Sequence, residues 1–340
     1  MARTHRIEVA STAGARALLV LAAVACGGAD PRSVPEVDSG FARDTRADTG
    51  PYILTLGTAQ DGGLPHAACS CERCEAARGD AARLRRIASL AVVLPESRES
   101  YLIDATPDVR EQLHALGGAH DEPRGGVDRS PVDGVLLTHA HLGHYTGLAF
   151  FGYEAIHTRG LPVYCTPGLA RFLRGNGPWS QLVELGNVAL QEIRPGEPLA
   201  LGAGVAVTAI TVPHRDEFSD TVGYELRGPN RRVLYVPDTE PWERWERPIE
   251  ELLQVVDTAI LDGTFFSLDE LPGRDVAAIG HPLMISTMDR LEPLVRTGKL
   301  RVVFTHLNHS NPALDPESDA RREIERRGFF LLEDGQVLPL

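Results

Sequence analysis

Three histidines near the middle of the chain are the residues whose types and spacing most directly suggest chemistry. His139, His141 and His144 lie on one short stretch, directly after the apolar run 135–137. Such a run predicts a buried strand. The histidines would then lie on the loop at its carboxyl end, where α/β folds place their chemistry. Neutral imidazoles at close spacing are typical ligands of Zn or Fe. Because the chain has only 12 histidines, a chance cluster in a polar loop is the less favoured interpretation.

Three further metal-competent side chains follow predicted strands, in chain order. They are His214, Asp238 and His306, which follow strands predicted over 205–212, 232–236 and 302–304. One metal-competent residue after a strand would mean little. The pattern occurs four times when the histidine loop is included, and it therefore predicts one shared metal pocket at the edge of a sheet sandwich.

Three of the five cysteines form a second cluster. Cys69, Cys71 and Cys74 are separated by one and two residues, a spacing that suits a tetrahedral thiolate metal site. Disulfides are the alternative, and an exported protein permits them. Bonds between such close neighbours would strain the loop, and three cysteines cannot all pair, so metal binding is favoured. The fourth ligand must then come from a distant part of the chain.

Residues 1–26 have the pattern of an export signal, in which basic residues precede the short apolar run 17–25. The run is too short to span a bilayer. It resembles a bacterial lipoprotein signal that would lipidate Cys26 and anchor a periplasmic protein to a membrane, although Ala23 stands where leucine is usual. A plain export signal is one alternative, and a misassigned start codon, which would make the protein cytoplasmic, is the other. Residues 27–50 predict a disordered tether.

The composition limits the classes of partner. A length of 340 residues permits one large domain or two small ones with an ample core. A net charge of −13 argues against nonspecific nucleic-acid binding, which needs a basic surface. A small-molecule substrate is the expected partner, and the sequence does not indicate an oligomeric state.

The remaining pattern predicts the elements that must position these side chains. Further strands are predicted over 52–58, 87–94, 100–103, 133–138, 163–166, 221–226 and 259–262. Helices are predicted from Thr106, as an N-cap followed by Pro107, through Leu116, and then over 167–173, 179–185, 243–256, 280–288 and 319–327. Strands and helices mixed in this way indicate an α/β fold.

Taken together, the histidine motif and the later His214, Asp238 and His306 resemble the metallo-β-lactamase superfamily. Within it, the chain is most similar to the family of pyrroloquinoline quinone biosynthesis protein B. The matching stretches are 56–74, 105–110, 143–148, 261–265, 280–282 and 305–314, all within residues 51–340. The resemblance implies a single domain over 51–340 with a four-layer αββα sandwich and one or two metals at the sheet edge.

The resemblance also implies roles for individual residues. The first metal would be bound by His139, His141 and His214, the second by His144 and His306, and both by a bridging Asp238. In a more distant phosphodiesterase family, a histidine placed like His309 completes a structural zinc site, here with Cys69, Cys71 and Cys74. His281 stands where those phosphodiesterases carry a proton-transfer histidine, and a purely structural hydrogen bond is its alternative role.

One position departs from the superfamily pattern. Gly143 stands where an aspartate that binds the second metal is usual. The second site would then be empty, labile, or filled by Fe or Mn, unless Asp216 substitutes. The quinone-biosynthesis proteins typically keep that aspartate and lack the first histidine, so a shared function does not follow from the resemblance.

Three functions fit these observations. The first is a hydrolase with one structural zinc and one or two catalytic metals, which activate water to attack an ester, lactone, amide or phosphodiester. Asp238 would orient the metal, and His281 would protonate the leaving group. The second is pyrroloquinoline quinone biosynthesis, by oxidation of a precursor with a redox metal or by carriage of the product. The third is a metal-stabilised binding protein without turnover.

Overall fold

The computed structural model describes residues 50–117, 130–270, 272–273 and 280–340. The predicted export signal lies outside the described residues, as does the predicted tether except for Gly50. The described residues belong to one compact unit. In the described part of the chain, none of the helices has both the length and the apolar character needed to cross a membrane.

Two seven-stranded mixed sheets form the centre of the fold. In spatial order, the first sheet contains β14 (Val337–Pro339), β1 (Tyr52–Gly57), β2 (Ser89–Leu94), β3 (Glu99–Ile103), β4 (Gly134–Leu136), β5 (Leu161–Cys165) and β6 (Val188–Glu192). The second contains β13 (Phe330–Leu331), β12 (Arg301–Thr305), β11 (Thr258–Asp262), β10 (Arg232–Val236), β9 (Val222–Arg227), β8 (Val205–Thr211) and β7 (Pro198–Gly202). Each sheet joins a parallel half to an antiparallel half.

Helices cover the outer face of each sheet. The α-helices of the described residues are α1 (Glu72–Gly79), α2 (Val109–Gly117), α3 (Leu142–Tyr145), α4 (Pro167–Gly175), α5 (Trp179–Glu184), α6 (Ile249–Leu253), α7 (Met284–Val295) and α8 (Asp319–Arg326). One apolar cluster packs α2, α4 and α5 on the first sheet, another packs α6, α7 and α8 on the second, and a third lies between the sheets. The predicted four-layer αββα sandwich is therefore confirmed.

Most predicted elements are present, with local differences. The helix predicted over 243–256 is broken, because a residue before proline disfavours the α conformation and α6 begins only after Pro248. Its apolar side chains nevertheless pack together on the second sheet. The helix predicted from Thr106 begins only at Val109, although the Thr106 hydroxyl accepts the hydrogen bond expected of an N-cap, from the Asp108 N–H at 3.0 Å. Strands β6 and β7 and helices α1 and α3 were not predicted, and α3 carries His144 within the segment predicted as a loop.

Hydrogen bonds join the two sheets at the edge where the histidine loop leaves β4. The buried Tyr224 hydroxyl of β9 donates to the Leu137 carbonyl at 2.6 Å. Close by, the Val222 N–H donates to the Thr138 carbonyl at 3.1 Å. At the other end of this edge, the Leu307 N–H donates to the Thr58 carbonyl at 2.9 Å. The loops that carry the metal-competent residues are thus held from both sheets.

Tyr224→Phe is expected to destabilise the fold by about 1–3 kcal/mol, because it leaves a buried carbonyl without its donor. Tyr235→Phe is the matched control, since the Tyr235 hydroxyl is buried in the same inter-sheet cluster and has no hydrogen-bond partner among the described atoms. Its loss should be neutral or stabilising. Urea unfolding midpoints at a fixed metal concentration measure both, and equal losses would contradict the importance of the inter-sheet bond.

Candidate metal centre

A chain of hydrogen bonds starting at Asp104 orients two histidines of the motif. Asp104 follows β3, and its carboxylate accepts hydrogen bonds from the Thr138 N–H at 2.8 Å and from the Thr138 hydroxyl at 2.9–3.0 Å. The same carboxylate accepts from His144 Nδ1 at 2.8 Å, while Thr138 Oγ1 lies 3.0 Å from His139 Nδ1. With both Nδ1 atoms engaged, the Nε2 atoms of His139 and His144 face the centre as acceptors.

A second relay of the same kind orients His306 at the end of β12. The Thr264 hydroxyl donates to Asp262 Oδ1 at 2.7 Å and lies 2.9 Å from His306 Nδ1. The backbone of His306 has φ +60° and that of Asp104 has φ +65°. Both residues are therefore in the left-handed region, which is strained for non-glycine residues and is found mainly at functional sites.

The first predicted ligand set comes together around Asp238. His139 Nε2 and His214 Nε2 lie 3.4 and 3.2 Å from Asp238 Oδ2, and His141 Nδ1 lies 3.1 Å from His214 Nε2. On the opposite side of the ring, His141 Nε2 lies 3.2 Å from a Glu217 carboxylate oxygen. Tetrahedral ligands at zinc–nitrogen distances of 2.0–2.1 Å would lie about 3.3 Å from one another. The spacing of this set therefore suits a tetrahedral metal.

The second predicted set also comes together, with a residue that the sequence did not indicate. His144 Nε2 and His306 Nε2 lie 3.8 and 3.9 Å from Asp238 Oδ2. Asp61 Oδ1 lies 3.4 Å from the former nitrogen and 3.5 Å from the latter. Asp216, the substitute considered from the sequence, is in none of the described groups with ligand atoms within 4.8 Å of one another.

Unpaired polar atoms test whether these residues suit a metal. The buried atoms His139 Nε2, His144 Nε2, His306 Nε2, Asp61 Oδ1 and Asp238 Oδ1 have no hydrogen-bond partner among the described atoms. Buried polar atoms are rarely left unpaired, and these five, out of twelve such side-chain atoms in the described residues, converge on the two ligand sets. Imidazole nitrogens and carboxylate oxygens are ligands that zinc accepts, so the donor set fits a divalent metal.

The electrostatics of the first ligand set keep its members in forms that bind metal. Burial alone would raise the pKa of Asp238, but the surrounding histidines, His281 and His306 foremost, hold it well below its usual range. Burial and the neighbouring histidines lower the pKa of His139, and burial lowers that of His141. A carboxylate and neutral imidazoles are the protonation states that metal binding requires. In the second set, burial would lower the pKa of His144, but Asp104 and Asp61 hold it well above its usual range, so a metal there would displace a proton.

His281 lies at the open side of the centre. Its Nδ1 is 2.8 Å from Asp262 Oδ2 and 3.3 Å from Asp238 Oδ1, and its side chain is 18% exposed. Burial would lower the pKa of His281, but Asp262 and then Asp238 raise it to about 9. Two roles were predicted for His281, a structural hydrogen bond and proton transfer. The ring makes the hydrogen bond that the first role requires, and it has the access to solvent that the second requires.

The predicted cysteine site is largely assembled. The ligand atoms of Cys69, Cys71 and His309 lie within 4.8 Å of one another. Cys74 lies outside that group but interacts with both other thiols, and burial raises its pKa to about 11. The His66 N–H donates to Cys74 Sγ at 3.3 Å. The described cysteines are free thiols, so the disulfide alternative finds no support among them.

A cleft of about 700 Å³ opens beside the centre, lined by Arg171, Phe172, Asp216, Glu217 and Phe218 among others. Glu217 connects it to the centre through its contact with His141. Trp179, Phe150 and Phe151 pack in the core of the first sheet, and Phe265 stacks edge-on against His281.

Comparison with known proteins identifies the class. A family model described as "Beta-lactamase superfamily domain" matches residues 99–307, more than half of the chain. The chain therefore belongs to the metallo-β-lactamase superfamily. Coenzyme PQQ synthesis protein B of Methylobacterium sp. (strain 4-46) is 29% identical over 306 residues, covering 84% of this chain and 99% of that protein. The counterpart from Rhizobium meliloti (strain 1021) is 28% identical over 307 residues, covering 85% and 97%.

Solved structures agree with this assignment. A structure described as Zn(2+)-bound PqqB from Methylobacterium extorquens matches with a TM-score of 0.72 and 26% identity, covering 85% of this chain and all of the other. A diphosphatase from the PhnP family shares the fold, with a TM-score of 0.61, 21% identity, and coverage of 85% and 97%. The predicted similarity to the PqqB-like family within this superfamily is confirmed.

Asp104→Asn is expected to weaken metal binding at the histidine centre by about 10- to 100-fold. The Thr138 N–H can only donate, so it holds the amide oxygen and turns the NH₂ group toward His144 Nδ1. The proton of His144 then moves to Nε2, where it blocks a metal. Asp133→Asn is the control, since Asp133 accepts a hydrogen bond from the Ser100 N–H at the other end of β4. Zinc titration measures both, and unchanged affinity in Asp104→Asn would contradict the assigned role.

Proposed function

We propose that this protein is a metal-dependent hydrolase of the metallo-β-lactamase superfamily. The observation that carries the proposal is the convergence of unpaired buried nitrogen and oxygen atoms around Asp238. A divalent metal bound there would lower the pKa of a water molecule and polarise an ester, lactone, amide or phosphodiester bond. His139, His141, His214 and Asp238 would hold the first metal, and His144, His306 and the bridging Asp238 would contribute to the second.

The protein side chains would divide the remaining work. Asp238 carries the negative charge that holds the centre together, and the Asp104 and Asp262 relays keep the imidazole rings in position. His281, held by Asp262 on the open side, is placed to give a proton to a leaving group. The cleft beside His141 offers apolar surface from Phe172 and Phe218 and the guanidinium of Arg171 to a small-molecule substrate.

A role in pyrroloquinoline quinone biosynthesis is the second candidate. It is supported by relatives named coenzyme PQQ synthesis protein B, which match along nearly their whole length. In this interpretation the same centre would hold Fe or Mn and oxidise a precursor, or the protein would carry the product. The export and lipid anchor expected from residues 1–26 and Cys26 would place the protein in the periplasm, a location that favours the hydrolase.

We also infer a structural zinc at Cys69, Cys71, Cys74 and His309. Three of these ligand atoms are close to one another, and the fourth, Cys74, interacts with the other two thiols. The site would tie α1 to the segment after β12, which carries His306. Arg73 of α1 already donates to the His309 carbonyl at 2.8 Å, so a metal there would strengthen an existing connection.

His141→Ala is expected to lose metal from the histidine centre and to reduce hydrolysis at least about 100-fold, as expected when a metal ligand is removed. His114→Ala is the control, because His114 is exposed on α2. Metal is counted by plasma mass spectrometry, and turnover is assayed on ester, lactone and phosphodiester substrates. Zinc lost together with turnover supports the hydrolase. Iron lost from the centre, with zinc retained, would favour the oxidative candidate, and no loss of metal would overturn the assignment.

Cys71→Ser is expected to lose one zinc ion per chain and to lower the Tm by several degrees, because structural zinc contributes directly to folding stability. The metal of the histidine centre should remain. Cys165→Ala is the control, since Cys165 is a buried core thiol of β5 with no part in the cysteine group. It should keep every zinc ion. An unchanged zinc count in Cys71→Ser would rule out this site.

A further inference from the structure

Asp61 and Gly143 occupy one shared space beside the second ligand set. A Cβ atom built on Gly143 would lie 2.2 Å from Asp61 Oδ1 and 2.7 Å from Asp61 Cγ. A side chain at position 143 and the carboxylate of Asp61 therefore exclude each other. Gly143 therefore has two effects. It removes the carboxylate that is usual at this position, and because it has no side chain it leaves room for a carboxylate from another part of the chain.

The loop that carries Asp61 is fixed next to the histidines. The Gln60 N–H donates to the carbonyl of Leu307, the residue after His306, at 2.9 Å. On the other side, the Ala59 N–H donates to the Arg86 carbonyl at 2.8 Å, and the Gly63 N–H to the Gln60 carbonyl at 2.7 Å. These bonds place Asp61 by backbone contacts that do not depend on its own side chain.

We propose that Asp61 is the carboxylate ligand of the second metal, relocated from position 143 to the loop after β1, and that it completes a two-metal centre. This inference rests on the proposed metal-dependent function. Asp61 Oδ1 lies 3.4 Å from His144 Nε2 and 3.5 Å from His306 Nε2. Those separations match the spacing of about 3.3 Å between tetrahedral zinc ligands. The oxygen is buried and without a hydrogen bond, as are both nitrogens.

The second site then has a full set of protein ligands. His144, His306, Asp61 and the bridging Asp238 supply two nitrogens and two carboxylates, so the negative charge that Gly143 removes is restored. Asp216 is the competing carboxylate. Its side chain accepts from the Thr221 hydroxyl at 3.3 Å and lines the outer cleft. The geometry therefore favours Asp61.

The test counts zinc in the full-length protein, equilibrated at graded concentrations of free Zn²⁺, by plasma mass spectrometry. Asp61→Asn keeps the shape of the side chain and removes its charge. It should weaken the last zinc-binding step at least about 100-fold, because even residues that only support a ligand are worth 10- to 100-fold. Asp216→Asn should leave that step unchanged. Retention of the last zinc ion in Asp61→Asn, or its loss in Asp216→Asn alone, would overturn the proposal.

Returning the carboxylate to position 143 provides an independent readout. Asp61→Gly should lose the last zinc ion, and the double variant Asp61→Gly/Gly143→Asp should regain it. A small shift of the loop is needed in the double variant, because the Cα of residue 61 would otherwise lie only 3.0 Å from the new Cβ at position 143. A folded double variant that binds no better than Asp61→Gly would overturn the shared-space argument. His141→Ala separates the two proposals: if it too retains every zinc ion, the metal-dependent function itself fails.

Discussion

The arrangement of the sandwich edge that carries the candidate metal centre depends on the buried carboxylate of Asp238. It is 4% exposed and lies within 4 Å of ring nitrogens from five histidines, His139, His144, His214, His281 and His306. A buried charge is costly unless it is compensated by partners of opposite charge or by hydrogen bonds. Here the compensation comes from residues on both sheets, so the two sheet edges must meet in one arrangement for the charge to be tolerated.

The rings around Asp238 are oriented by carboxylates further out. Asp104 acts on the first sheet through Thr138, and Asp262 acts on the second through Thr264. In each relay an aspartate lies at the end of a strand. Its carboxylate accepts a hydrogen bond from a threonine hydroxyl, and the oxygen of that hydroxyl contacts the Nδ1 atom of a histidine. This common design leaves the Nε2 atoms as the unpaired groups. The orientation of the ligands is therefore a property of the protein before any metal is considered.

The sequence was sufficient for the fold and for bringing out most of the side chains that meet at the candidate metal centre, because strand ends can be recognised from apolar runs followed by polar residues. His214, Asp238 and His306 were found by that rule. Asp104, which follows β3, and Asp262, which ends β11, have similar positions but were not singled out. The broken helix before Ile249 was missed because its apolar spacing is helical even though Pro248 interrupts the backbone. Edge strands β6 and β7 were missed because neither has a clear alternation of buried and exposed residues.

Asp61 escaped prediction for a different physical reason. No apolar run ends at it, and its neighbours in sequence are turn residues, so no local pattern distinguishes it from a solvent-exposed aspartate. Its position is set by hydrogen bonds between segments more than 200 residues apart, such as that from Gln60 to Leu307. A metal site requires a ligand oxygen at a particular position in space. A different segment of the chain can supply that oxygen, provided that the residue at the original motif position has no side chain in the way. When glycine replaces a ligand in a metal-binding motif, another side chain can therefore occupy the space that the ligand would have filled. That possibility has to be examined before the metal site is taken to have been lost.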